Sequence, residues 1–342
     1  MNEDCLKLTS YFGERQRTRD DGFTADALLG LYGRREITTS ILMRGTEGFG
    51  RKHQPRTDRS LSLSEDLPLV AVAVDTRSRI EAILDDSVHL TSSGLVTLER
   101  ARMLTGETQL PEELHETTKL TIYLGRQERV YRVPAYIAVC DLLHRRGIAG
   151  ATVLLGVDGT AHGQRQRAAF FGRNAETPMM VISVGSGEQI SRLLPELGAL
   201  LRRPLLTLER ITICKRDGDR IATPSAQPGP DQTDMPLWHK LMVYTSEAAL
   251  CDGQPIHRAI VRQLRDAGLS GATTLRGVWG FHGDHEPHGD RLMQLGRRVP
   301  AVTVVVDTPE RIATAFGVID GLTGQQGLVT SETVPALQAT TA

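Results

Sequence analysis

Three segments of this chain are versions of one another: Lys7-Leu8-Thr9-Ser10-Tyr11, Lys119-Leu120-Thr121-Ile122-Tyr123 and Lys240-Leu241-Met242-Val243-Tyr244. Further anchors follow each in the same order and at nearly the same spacing. Ile148-Ala149-Gly150-Ala151-Thr152 matches Leu269-Ser270-Gly271-Ala272-Thr273, with Ile37 to Ser40 as a degenerate first copy. Next comes an apolar strand running into Gly-x-x-Gly, at Gly45 and Gly48, Gly156 and Gly159, and Gly277 and Gly280. Pro68, Pro178 and Pro300 then open apolar runs, and Leu95 to Glu99, Leu205 to Glu209 and Leu328 to Glu332 close each copy. Self-similarity at a fixed period decides architecture before any local signal does. The chain therefore reads as three repeats at 1–105, 118–216 and 237–337, with a Pro- and Gly-rich linker over 217–236.

Within a repeat the signals run strand, helix, strand, loop, strand, helix, strand. In the second copy a strand over 119–124 precedes Pro134, which opens a helix as proline does at a first turn. Ile137, Val139, Cys140, Leu142 and Leu143 give that helix an apolar stripe, and Gly147 ends it. The second helix carries Ile190, Leu193, Leu194, Leu197 and Leu201 on one side, and the last strand covers 205–214. Pro255 and Gly268 bracket the matching first helix of the third copy. This βαββαβ order is that of a ferredoxin-like sandwich, an α+β fold. Residues 106–117 form a connection with room for a helical turn at Pro111 to Leu114, and 217–236 reads as an exposed tether.

A sheet with one wet face should alternate apolar and polar residues. Leu69 to Val74 and Ala301 to Val306 are instead apolar on both faces. Two helices can cover only one face of each sheet, so three sheets are expected to pack inward around a shared axis with the helices outside. The result is a closed pseudo-threefold assembly within one chain.

The repeated Lys-Leu-x-x-Tyr, Gly45-x-x-Gly48-Phe49-Gly50, Asp66-Leu67-Pro68-Leu69-Val70 and the closing Leu-Val-Thr-Leu-Glu strand together resemble the PII-like family known as DUF 190. The likeness spans nearly the whole chain, three times. It implies trimer-like packing of ferredoxin-like units, a mobile loop rooted at each glycine turn, and ligands in the clefts between neighbours. One chain would supply all three units, as a monomeric pseudo-trimer. Two departures limit the carry-over. None of the three loops contains the tyrosine that PII proteins modify. The helix-to-last-strand connections at 85–94, 201–204 and 321–327 lack the lysine that contacts nucleotide phosphates.

Glycine turns after a strand can present backbone N–H groups to an anion, and they also serve as plain strand-ending turns. The sequence is neither a Walker loop nor a Rossmann fingerprint. The loops differ in chemistry. The first carries Arg44, Arg51, Lys52, His53, Arg56 and Arg59; the second His162, Arg165, Arg167 and Arg173; the third His282, Asp284, His285, Glu286, His288 and Asp290. The effector-binding set expected from position is Gly45, Gly48, Gly50, Arg51, Gly156, Gly159, Arg165, Gly277, Gly280 and Phe281. The alternative is a metal-binding or metal-tolerance module on His282, His285 and His288, or a scaffold without small ligand. Glu99, Glu209 and Glu332 read as structural or edge carboxylates.

No G-x-S-x-G elbow, H-E-x-x-H helix or Cys–His arrangement points to catalysis. A formal net charge of −1 gives no field that steers the chain to nucleic acid or an anionic membrane. Apolar runs are too short to span a bilayer, the four cysteines are dispersed, and the first residues lack signal-peptide character. The expectation is a cytoplasmic, non-enzymatic regulatory protein. A small anionic effector, with an adenine nucleotide as one candidate, binds between repeats, and the loops act on a protein target such as a transporter or enzyme.

Overall fold

The third strand of every repeat, Pro68–Thr76, Pro178–Ser186 and Pro300–Asp307, is buried along almost its whole length. Its two faces serve different cores. Val70, Val72 and Val74 join Met180, Ile182, Val302, Val304 and Val306 in one apolar cluster shared by all three repeats. The alternate residues Ala71 and Ala73, Val181, and Val305 face clusters built with the repeat's own helices. The doubly apolar strands thus have the two partners that their composition demands. This computed structural model describes residues 2–58, 66–105, 117–161, 164–167, 177–224, 235–283, 285–289 and 299–338.

The fold is mixed α/β, with three tandem repeats. Repeat 1 has strands Asn2–Gly13, Thr39–Arg44, Pro68–Thr76 and Leu95–Thr105 with helices α1 (Thr24–Arg34) and α2 (Arg77–Leu90). Repeat 2 has Thr117–Gly125, Gly150–Leu155, Pro178–Ser186 and Leu205–Arg210 with α3 (Ala135–Arg145) and α4 (Gly187–Leu200). Repeat 3 has Leu237–Ser246, Ala272–His282, Pro300–Asp307 and Leu328–Gln338 with α5 (Ile256–Asp266) and α6 (Pro309–Thr323). In each, the antiparallel order across the sheet is second, third, first, fourth.

Local signals place the helices. Pro134 and Pro255 sit at the N-cap, one position ahead of α3 and α5. Gly147 and Gly268 take φ of 71° and 80° just past their ends, the left-handed conformation that suits glycine there. Serine 186 and Gln189 form a reciprocal capping box at α4. The buried stripe of α3 is Ala135, Val139, Cys140, Leu142 and Leu143, while Ile137 is half-buried at its margin.

The repeats are joined by hydrogen-bonded strands, so three separate sheets is not what the chain forms. The end of each fourth strand pairs with the start of the next repeat's: Arg102 to Thr105 with Leu205 to Leu208, Thr212–Arg216 with Leu328 to Ser331, and Ala336 to Gln338 with Leu95 to Thr97. The second strands are joined as well, through the loop roots. One consequence is a closed circuit of nine strands, in which every neighbour is hydrogen-bonded to the next.

The expected tether is also partly structured. Arg216, Asp217, Gly218 and Asp219 turn a hairpin in which Asp219–Arg220 pairs back on Thr212–Arg216, with Gly218 at φ 97°. Lys215 is buried there, 2.7 Å from Asp320, whose other carboxylate oxygen pairs with Arg220. Farther on, Met235 packs against the repeat 1 core and the Pro236 carbonyl accepts from the Ala336 N–H. Residues 225–234, and the 106–116 stretch with its expected helical turn, lie outside the described residues.

Candidate functional site

Each first strand pairs with its own fourth strand in a register that sets Lys7 opposite Glu99, Lys119 opposite Glu209 and Lys240 opposite Glu332. All six side chains point to the shared axis. Closure then brings each lysine to a second carboxylate, on a neighbouring repeat. Lys7 lies 3.0 Å from both Glu99 and Glu209; Lys119 lies 2.6 Å from Glu209 and 2.9 Å from Glu332; Lys240 lies 2.9 Å from Glu99 and 3.2 Å from Glu332. The result is a closed ring of alternating charge. Thr9 and Thr97 add hydroxyl donors to Glu99, and Thr121 and Thr207 to Glu209. The carboxylates are therefore axial ring members, not edge residues.

Burial alone would favour the neutral form of Lys7, Lys119, Lys240, Glu99 and Glu209. For Lys7 the Glu209 and Glu99 charges override that and raise its pKa, and Glu209 and Glu332 do the same for Lys119. Lys240 is raised by Glu99 and Glu332. On the acid side, Lys240 and Lys7 hold Glu99 far below the carboxylate range, and Lys119 and Lys7 bring Glu209 to about 2. The ligand atoms of Glu99, Glu209 and Glu332 gather within 4.8 Å, a spacing that could suit a metal ion. Three ammonium groups already sit among them, so the cations are supplied by the chain. This is a structural centre.

Ligand-sized space lies farther out, between repeats. One cleft, about 860 Å³, opens between repeats 2 and 3. Its walls are the end of the repeat 3 first strand (Tyr244 to Ser246), the 325–328 connection, the repeat 3 loop (Phe281, His282, His285, Glu286, His288), and Ala149 to Thr152 of repeat 2. A second, about 500 Å³, opens between repeats 1 and 3. Tyr11 to Gly13, Ser93 to Leu95, Phe49 to Lys52 and Gln54 of the repeat 1 loop, and Ser270 to Thr273 of repeat 3 wall it. The two occupy matching positions in the repeats. In the matching place between repeats 1 and 2, residues 162–163 and 168–176 of the loop lie outside the described residues.

The glycines divide by role. Gly50, Arg51 and Phe281 line the clefts. Gly48, Gly159 and Gly280 do not; they root each loop as a strand on the neighbouring repeat. Glu47–Phe49 pairs with Ala272 to Thr274, Asp158–Ala161 with Thr39 to Leu42, and Gly277 to His282 with Gly150 to Leu154. A Cβ on Gly48, Gly159 or Gly280 would lie 2.4, 2.2 or 2.2 Å from the carbonyl oxygen of Ala272, Ser40 or Ala151. The preceding glycines, Gly45, Gly156 and Gly277, are crowded by Pro68 or by the carbonyls of Pro178 and Pro300. Gly48, Gly159 and Gly280 thus allow backbones to meet between repeats. Arg165 lies on the strand Gln164–Arg167, which pairs with Asp158–Ala161.

The histidines of the third loop line the larger cleft. His282 Nε2 is 2.9 Å from Asp217, and His288 Nδ1 is 2.9 Å from the Glu286 carbonyl. Among the described residues, no metal-sized group of ligand atoms forms from His282, His285 and His288. Several cleft residues were not among the site residues expected from the sequence, notably Tyr11 and Tyr244, Gly94 and Gly327, and Gln325. The threefold recurrence of the tyrosines was their available signal; the glycines lie against the Tyr11 and Tyr244 carbonyls, which only the fold reveals.

These features define a three-repeat α/β protein with a charged axis, loop roots exchanged between repeats, and clefts at the junctions. A profile of the DUF 190 family, described as "Uncharacterized ACR", matches residues 5–103, 117–213 and 238–336. The chain belongs to the DUF 190 family. It is 30% identical over 97 residues to a UPF0166 protein of Aquifex aeolicus (strain VF5), an alignment covering 28% of this chain and 90% of that protein. No helix among the described residues is long and apolar enough to cross a membrane.

Proposed function

We propose that this chain is a PII-like regulatory protein whose three repeats act as ferredoxin-like units of an intramolecular pseudo-trimer. A small anionic effector binds in the inter-repeat clefts and biases the loops rooted beside them, and the loops act on a protein target, a transporter or an enzyme. The reading is of a cytoplasmic binding protein, not an enzyme. The observation that carries it is the pair of matching clefts, each walled by the root of one loop and by two repeats. A ligand there touches both the loop and its neighbour, which is what coupling occupancy to loop conformation requires. Adenine nucleotides are the first class to examine.

Isothermal titration of the full chain with ATP, ADP, AMP and cyclic AMP is the test. The expected result is saturable binding of at least one nucleotide at or below about 1 mM, a binding free energy of roughly −4 kcal/mol. Absence of heat and of any thermal shift with all four would remove the nucleotide reading.

A further inference from the structure

Because one chain supplies every wall, its clefts are free to diverge, which identical subunits cannot do. The two described clefts have diverged in charge. Between repeats 1 and 3, the cations Arg15, Arg51, Lys52 and Arg56 share the walls with one carboxylate, Asp66. That carboxylate is already engaged: one oxygen accepts from the Arg15 backbone N–H at 2.8 Å and the other lies 3.0 Å from Arg56. Arg51 and Lys52 line the cleft, are exposed, and make no ion pair among the described residues.

Between repeats 2 and 3, the described counterparts of three of these cations and of Gln54 are different residues. Taking Tyr11 with Tyr244 and Gly48 with Gly280, Arg15 becomes Ala248, Arg51 becomes Gly283, Gln54 becomes Glu286 and Arg56 becomes His288. One arginine, Arg216, then faces two carboxylates, Asp217 and Glu286, and Asp217 is held by His282. Among the described residues, the larger cleft lacks the cations that the smaller one keeps.

We infer that the repeat 1–repeat 3 cleft is the site for a polyanion, an oligophosphate group held by Arg51 and Lys52 with Arg15 and Arg56 behind them, and that the repeat 2–repeat 3 cleft does not take one. This rests on the proposed effector function and assigns its ligand class to one cleft. Guanidinium and ammonium groups make charge-assisted hydrogen bonds to phosphate oxygens. In the other cleft a polyanion meets Glu286 and Asp217, a like-charge arrangement that discriminates against it. The apolar residues shared by both clefts set no such preference, so the difference is electrostatic and weakens with salt.

The test titrates inorganic tripolyphosphate, and separately ADP, into the full chain at low salt and pH 8, above the ordinary histidine range of about 6.5. Arg51→Ala/Lys52→Ala is expected to weaken tripolyphosphate about tenfold or more, by removing two charge-assisted contacts. Arg216→Gln is expected to change it by less than about twofold, since Arg216 lines the other cleft and a charge acting at a distance through water adds little. Both variants are checked by thermal melting, so that loss of fold is not mistaken for loss of binding. An Arg216→Gln defect as large as that of the double variant, or an unaffected double variant, overturns the assignment while leaving effector binding intact. No binding of either probe by the wild-type chain overturns both.

Discussion

Six charges buried on one axis are tolerable only if each is matched, and here every one has two opposite neighbours. Removing one member leaves two others short of a partner in a site with little water, a change that costs about 3–5 kcal/mol in buried ion pairs. Glu209→Gln is expected to fall in that range by urea denaturation. Lys119→Met alone should cost about as much. Combined, they remove an adjacent pair and leave Lys7, Glu99, Lys240 and Glu332 in balance, so the double variant should be more stable than additivity predicts by at least about 1 kcal/mol. Strict additivity would mean that the ring does not act as a unit. The same groups set a pH dependence. Glu209 falls from the ordinary 4.5 to about 2 on folding, and Glu99 falls further. Their contribution is present above pH 4.5 and is lost as pH drops through the folded value, because the unfolded chain then binds more protons. Lys7, Lys119 and Lys240 are raised above 10.5, so theirs is present below that pH and lost at more alkaline values. Melting temperature should therefore be flat from about pH 5 to 10 and fall steeply below about pH 4. A melting temperature unchanged down to pH 2 would exclude a charged ring.

At the scale of elements, the decisive contacts are the loop roots that lie on the preceding repeat's second strand. Alanine at Gly48, Gly159 or Gly280 drives a Cβ into a neighbouring carbonyl and should cost about 1–3 kcal/mol each, the usual penalty of overpacking. Gly50→Ala meets nothing within 4 Å and should stay within about 0.5 kcal/mol of wild type. Limited proteolysis should show the loop released in the first three and not in the fourth. The turn after the first strand offers a gain instead. Asp252-Gly253 in repeat 3 takes φ of 51° and 75°, as a two-residue hairpin of this kind requires. Repeat 2 places Tyr131-Arg132 there at 50° and 85°, with Tyr131 93% exposed. Tyr131→Asp/Arg132→Gly should raise stability by roughly 1–2 kcal/mol, because left-handed backbone is unfavourable for both native residues. The repeated Gly-x-x-Gly made a turn legible in the sequence. The reason for its second glycine was not, because the carbonyl that excludes a side chain there belongs to another repeat more than a hundred residues away.

At the scale of the molecule, recurrence and apolarity carried most of what the sequence could say. Val70, Val72 and Val74 needed a second partner, and the shared cluster supplies it. The recurring Lys7, Lys119 and Lys240 and the recurring Glu99, Glu209 and Glu332 were each visible, but as separate series. Their meeting depends on cross-strand register within a repeat and on closure between repeats, neither of which a linear pattern encodes. The clefts were legible only as a place, since their walls join distant segments such as Ser93 to Leu95 and Ser270 to Thr273. Closure has a thermodynamic consequence that independent beads would lack. Every repeat shares the axial ring, the central apolar cluster and two strand junctions with its neighbours, so loss of one repeat leaves the other two with open edges and unmatched charges. Unfolding one repeat alone exposes surface in all three. Differential scanning calorimetry at neutral pH should show a single transition whose calorimetric and van't Hoff enthalpies agree. Glu209→Gln, which touches only repeats 1 and 2, should shift that whole transition without splitting it. Two or three resolved transitions in the wild-type chain would show that the repeats are independent, and the ring would then be an ion-pair cluster without a role in cooperativity.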